Sequence, residues 1–309
     1  MTSLPLFDTH AHLVSDDWDT YPPRPLRPGL PTPARTGYSV TVDALIAMMD
    51  EHGVTEACLV QRGHLYGYDN SYIVESAREH PGRLHPVVML DAQDPATPDR
   101  YRDMVRDDHV RGFRLAHTRP WILDTAWMSS PQAMEVWKTC AELGTPMTLI
   151  LFTKQLPYLL PLVEIIARRF PDLPILLDHG AMPYGMTQYE VKLAAEAGEE
   201  VVLPGPPDFG IDRTIAIFED VPNVHFKITE ITMERLVAAG VRPAHLVRRL
   251  VDGFGPDRVV WGSDVGQSTL WTYTEKTEMA RSAADFLTPD EAGSFLRGNA
   301  ARVYSVSRA

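Results

Sequence analysis

Eight short and almost continuously apolar runs recur along this chain, separated mostly by stretches with helical periodicity, and that alternation constrains the fold more than any other feature. The runs are Leu6–Leu13, Thr55–Gln61, Leu84–Leu90, Gly112–His117, Pro146–Phe152, Pro174–His179, Val224–Thr229 and Val259–Asp264. Each is too short and too evenly apolar for an amphipathic helix, and strands apolar on both faces belong to a parallel sheet covered from outside. The intervening stretches carry helix signals. Leu45, Ile46, Met48 and Met49 mark one face of a helix over Val42–His52, with Gly53 as its stop. Ser130-Pro131 supplies an N-cap and a first-turn proline, while Leu156–Phe170 ends at Pro171 and Pro289–Tyr304 forms the last helix. Eight strands with helical crossovers predict a (β/α)8 TIM barrel over residues 1–309 as a single domain.

Two segments interrupt the pattern. One spans about 14–41, where Tyr21–Gly37 alone holds six prolines, and the other spans about 198–212 around Pro204-Gly205-Pro206-Pro207. Both read as long loops, and the first follows strand 1, on the face where barrel enzymes keep their chemistry. The net charge of −12, without a basic run, disfavours nucleic acid and anionic membranes as partners and leaves a small molecule as the expected one. No apolar run approaches the roughly 20 residues of a bilayer span, and none resembling a signal peptide follows Met1, so the expected location is cytoplasmic. Two cysteines, Cys58 and Cys140, read as buried reduced thiols. Oligomeric state is not legible.

Polar side chains collect at the carboxyl ends of the runs. His10 and His12 stand two apart in strand 1, so both imidazoles face one side. His179 ends strand 6 in Leu176-Leu177-Asp178-His179-Gly180, and Asp264 ends strand 8, alternating with Gly262 and Val260 and so pointing inward. On strand 6 the same alternation, counted from Leu177 through His179, sends Asp178 outward toward a helix. Three imidazoles and one carboxylate at three strand ends make a catalytic or metal centre. Arg114 and Arg119 in and beyond strand 4 could hold a carboxylate, and alternation sets Arg114 opposite His117. His64, Tyr66 and Asn70 after strand 2 are substrate-binding candidates. Lys227 and Glu230 at the end of strand 7 read as a structural ion pair or as catalytic groups, and Trp121, Trp127 and Trp271 as an apolar wall for a ring or as packing.

Asp8-Thr9-His10-Ala11-His12, Asp178-His179-Gly180 and Trp261-Gly262-Ser263-Asp264 together resemble the amidohydrolase superfamily, in its amidohydrolase-related branch. Leu59-Val60-Gln61 followed by Tyr66-Gly67-Tyr68-Asp69-Asn70 is similar to its 2-pyrone-4,6-dicarboxylate hydrolase and sugar-lactonase group. The resemblance covers essentially the whole chain. It implies hydrolysis of a carboxylated or polyoxygenated lactone or pyrone-like ring, with Asp264 as general base and His10, His12 and His179 polarising the carbonyl. It also implies either no cofactor or one divalent metal, zinc first, on His10, His12 and Asp264, with His117 or His179 as further ligands. Metal-dependent relatives usually place another ligand at the end of strand 5, where Pro146–Thr153 offers no His, Lys or acid. Metal-dependent decarboxylation of an aromatic or unsaturated acid is the alternative. A barrel that only binds its ligand is a remoter one, disfavoured by the retained histidines and Asp264.

Overall fold

The computed structural model of the protein describes residues 4–26, 39–116, 124–181, 194–198, 200, 204–207 and 209–304. Eight parallel strands run β1 (Leu6–Ala11), β2 (Val54–Val60), β3 (Leu84–Val88), β4 (Gly112–Ala116), β5 (Met147–Ile150), β6 (Ile175–Leu177), β7 (Val224–Ile228) and β8 (Val259–Trp261), each hydrogen-bonded to the next in sequence order. Past the last strand the chain returns to the first. The amide of Asp264 donates to the His10 carbonyl at 2.7 Å and that of His12 to Val265 at 2.8 Å, with a parallel bridge at Ala11–Val265. The protein is a (β/α)8 barrel.

The expected helices form at Val42–His52, Pro131–Leu143 and Leu156–Arg169. Thr41 and Ser130 cap the first two, and Gly53 and Gly144 close them in the left-handed conformation that glycine adopts without a Cβ penalty. The expected final helix is interrupted by one π turn at Ser294–Gly298. Strands end one to three residues earlier than the apolar runs suggest, because the runs continue into the turns that carry the site. The long segment after β1 is pinned at its base by an antiparallel bridge between Val14 and Val40; residues 27–38 within it, and 199, 201–203 and 208 of the second loop, lie outside the described residues.

A large apolar layer lies between strands and helices, while Phe7, Cys58, Val60, Val87, Leu176 and Val260 form a separate cluster with Tyr304. That smaller cluster lies on the strand faces that continue into Asp178 and Asp264 toward the carboxyl ends. Both cysteines are free and buried. Among the described residues no helix is long and apolar enough to cross a membrane.

Candidate active site

The register of β1 shifts between Asp8 and Ala11, so that Phe7 in the inner cluster is followed by His10 and His12 rather than by Thr9. Asp8 accepts hydrogen bonds from the amides of His10 (3.0 Å) and Ser263 (2.8 Å) and from the Tyr273 hydroxyl (3.2 Å), stapling β1 to β8 behind the site. Gly262 permits the close approach: a Cβ there would lie 2.6 Å from the His10 Cβ. Gly266, at φ +85°, lets the turn after Asp264 pass over the His12 carbonyl, which a Cβ would meet at 2.0 Å.

His10, His12 and Asp264 converge, all buried, with their ligand-capable atoms within 4.8 Å of one another. Asp264 Oδ1 lies 3.5 Å from His10 Nε2 and 3.4 Å from His12 Nε2. Its Oδ2 takes a hydrogen bond from Ser268 Oγ, four residues on. His12 Nδ1 lies 2.7 Å from the Val60 carbonyl oxygen. A carbonyl only accepts, so this nitrogen carries the proton and Nε2 presents a lone pair. Burial lowers the affinity of His10, His12 and His179 for a second proton, His10 most strongly. Burial pushes Asp264 upward, and it stays well below the usual carboxylate range only where positive charge, on the facing imidazoles or on a cation held between them, offsets this.

His179 reaches the site by a different route from the one its spacing suggests. Leu176 lies in the inner cluster and Leu177 in the outer layer, so alternation along β6 turns Asp178 inward, not outward. β6 then stops, and His179 swings in through a left-handed backbone at φ 55°. Its Nδ1 lies 2.7 Å from Thr229 Oγ1 and its ring centroid 5.2 Å from that of His10. Asp264 also sits at φ 55°. Both conformations are disfavoured for residues with a side chain.

Asp178 is the hub behind His10. Its Oδ1 lies 3.0 Å from Lys227 Nζ and 3.3 Å from His10 Nδ1, and its Oδ2 lies 3.2 Å from Arg114 Nε. Burial raises its pKa, but Lys227 first, then His10 and Arg114, outweigh that and hold it well below the usual range. Lys227 therefore pairs with Asp178 rather than with Glu230, whose buried partner is Lys276.

Arg114 faces the interior, with Nη1 donating to the Gln61 carbonyl at 3.0 Å. His117, Arg119 and Trp121 lie outside the described residues. Asn70 spends its side chain on the backbone of Tyr68 and Met89, and the Tyr66 hydroxyl accepts from the Ser15 amide at 2.8 Å. His64 is exposed on a short helix at Gly63–Tyr66. Trp127 packs in the outer core with its indole N–H on Asp124, and Trp271 is half-buried with its amide on Glu230. Sequence reasoning did not single out Arg62, whose Nε donates to Gln267 at 2.7 Å across the barrel mouth, nor Ser268. No motif marks either; both are placed by the chain turning back over the site. The β5 end carries no acid or imidazole among Leu151–Gln155.

Comparison with known proteins matches the amidohydrolase family profile over residues 7–306. An L-fucono-1,5-lactonase from Burkholderia ambifaria is 26% identical over 253 residues, 78% of this chain and 77% of that protein. Among solved structures, a probable 2-pyrone-4,6-dicarboxylic acid hydrolase from Acinetobacter baumannii with citric acid bound superposes with TM-score 0.71 at 18% identity, covering 97% of this chain and 98% of that one. An amidohydrolase from Burkholderia multivorans with bound zinc gives TM-score 0.70 at 22% identity, covering 98% of this chain and 100% of that one.

Proposed function

The chain belongs to the amidohydrolase family, and on that premise we propose that this hydrolytic enzyme opens a lactone ring at a centre built from His10, His12, Asp264 and His179. One observation carries the reading of that centre. The lone pair of His12 Nε2 faces a carboxylate oxygen 3.4 Å away, and His10 Nε2, 3.5 Å from the same oxygen, has no hydrogen-bond partner. An imidazole lone pair and a carboxylate oxygen aimed at one another in a buried site repel unless a proton or a metal cation lies between them. The donor set, two imidazoles and a carboxylate, suits a divalent ion such as zinc. His12 is fixed in its ligand form by Val60, and His10 has Asp178 behind it, in the manner that orients metal-bound imidazoles.

An ion held there would polarise the ring carbonyl and the attacking water. The side chains would do the rest. Asp264, kept ionised and oriented by Ser268, takes the proton of the water as its oxygen adds to the carbonyl carbon. His179, held through Nδ1 by Thr229, turns its Nε2 toward the carbonyl oxygen and stabilises the negative charge developing there. When the ring C–O bond breaks, the leaving oxygen takes the proton back from Asp264, giving one hydroxy acid from one lactone and one water. Arg114, with Arg62 at the mouth, gives the pocket positive charge suited to a carboxylated or polyoxygenated ring. The lactonase relative and the pyrone-dicarboxylate hydrolase neighbour support that substrate class.

The test is a panel of sugar lactones and carboxylated pyrones, with products identified by mass. Gain of one water on ring opening is the expected result. Release of carbon dioxide from an aromatic or unsaturated acid, with no lactone opened, would replace this reading with the decarboxylase one.

A further inference from the structure

A glutamate and a lysine lie buried beside the barrel mouth, and both spend hydrogen bonds on the same stretch of chain. Glu230 opens the helix Glu230–Ala238 just past β7, and Lys276 lies on the helix Tyr273–Ala283 that follows β8. Their charged groups are 2.5 Å apart, and both residues are buried. Lys276 Nζ also donates to the Ser268 carbonyl at 2.9 Å, and the second oxygen of Glu230 accepts from the Trp271 amide at 3.0 Å. Ser268 and Trp271 belong to the turn at 265–272, which holds no strand or helix beyond the bridge at Val265. The pair thus supplies backbone partners that a ladder would otherwise provide.

Taking two charges out of water is costly, and apolar side chains of similar size often stabilise a fold as well or better. What this pair supplies is a fixed turn. The turn carries Ser268, whose hydroxyl donates to Asp264 Oδ2 and whose amide donates to the Asp264 carbonyl at 3.0 Å. Alternation turns the Asp264 side chain inward, and the Ser268 bond decides which oxygen meets the imidazoles. With Oδ2 engaged, Oδ1 lies 3.5 Å from His10 Nε2 and 3.4 Å from His12 Nε2.

We propose that Glu230 and Lys276 are positioning residues for the centre: by holding the turn after β8, they keep Ser268 on one oxygen of Asp264 and leave the other aimed at His10 and His12. Each member of the centre then has its own support. His10 leans on Asp178, His12 on the Val60 carbonyl, and Asp264, through Ser268, on this ion pair. The proposal rests on the reading of His10, His12 and Asp264 as a metal centre.

The test uses the full chain, as wild type, S268A, E230M/K276M and the triple variant, with zinc affinity read by competition with a chromophoric chelator. Replacing both members of the pair leaves no buried charge without its partner, which spares the fold. S268A is expected to bind zinc about tenfold more weakly or worse, the scale on which such outer partners act. E230M/K276M is expected to lose a similar factor although it keeps Ser268. The triple variant is expected to bind no more weakly than S268A, since losses routed through one contact do not add. Wild-type affinity in S268A or in E230M/K276M overturns the proposal. So does a triple variant whose loss multiplies the other two, because the pair would then act independently of Ser268. Should E230M/K276M fail to fold by circular dichroism, E230Q, which keeps the shape of the side chain, takes its place in the same cycle with the same expectations and the same grounds for defeat. A wild type that takes up no zinc defeats the metal-centre reading and the predicted weakening together, whereas zinc held equally by wild type and E230M/K276M defeats this proposal alone.

Discussion

The Nδ1 atom of His12 lies 2.7 Å from the carbonyl oxygen of Val60, and that one contact sets the polarity of the site. It commits the strand 1 imidazole to presenting a lone pair, which cannot donate a hydrogen bond to a carbonyl and can hold a cation. The ligand role proposed for His12 follows from that polarity, whereas direct polarisation of a carbonyl would need a proton on Nε2.

A centre of this kind should be stripped by chelation. Dialysis against a strong chelator is expected to abolish lactone opening and lower the thermal midpoint, and zinc or manganese to restore both, since a ligand of the folded state stabilises it. Activity and midpoint both indifferent to chelator would return Asp264 to a metal-free role as base.

Asp264→Asn keeps the shape of the side chain and removes its charge. The variant should fold and lose about 10²–10⁴ in kcat/KM, the range of a general base. Retention of more than a tenth of wild-type activity would remove Asp264 from its assigned role.

Gly262→Ala tests the seam between β1 and β8. The new methyl would meet the His10 Cβ at 2.6 Å and the His10 amide nitrogen at 3.0 Å, and neither can yield without moving the strand. A loss of about 1–3 kcal/mol in urea unfolding is expected, together with reduced activity, because the displaced residue is His10. Unchanged stability would mean the seam is looser than these distances require.

Arg258 offers a contrast remote from the chemistry. Its buried guanidinium donates to the carbonyls of Val224, Phe218 and Glu219 and lies 4.8 Å over the Phe254 ring. Arg258→Met should cost about 2–4 kcal/mol, from several buried carbonyls losing a charged donor, while kcat of the folded fraction stays unchanged. A matching fall in kcat would show that the barrel wall is coupled to the site.

Stability should fall on the acid side of neutrality. Burial first, with Arg258 and Arg302 adding to it, lowers His225 to about 4 from its ordinary value of 6.5. A histidine with a lowered folded-state pKa binds its proton more readily when unfolded, so the contribution is present above about pH 6.5 and lost progressively as pH falls toward 4. Allowing for the partial exposure of the ring, the effect is about 2 kcal/mol. His225→Gln should flatten the urea-midpoint profile across that window, and an unchanged slope would assign the acid sensitivity to other groups.

The barrel is legible in the sequence because continuous apolar strands and capped helices are local signals. The placement of His10, His12 and Asp264 is legible because side chains alternate along a strand. Asp178 shows where this reasoning stops: whether alternation is counted from Leu176 or Leu177 decides its direction, and only packing distinguishes the two leucines. His179 escapes alternation altogether, since the strand has ended before it. The pairing of Lys227 with Asp178 rather than with Glu230 joins neighbouring strands at a register that spacing does not encode. Asn70 and Tyr66, polar residues on a loop beside a site, turn out to be engaged in holding that loop.

Two of the left-handed non-glycine residues, His179 and Asp264, have a further consequence. Each occupies a backbone conformation that glycine would adopt more cheaply, by roughly 1–3 kcal/mol. A chain of this sequence selected for robustness alone would gain by placing glycine at both positions, and would lose the proposed base and the proposed oxyanion donor in doing so. Efforts to harden this protein against heat by relieving backbone strain will therefore meet, among their natural targets, two positions that belong to the proposed site.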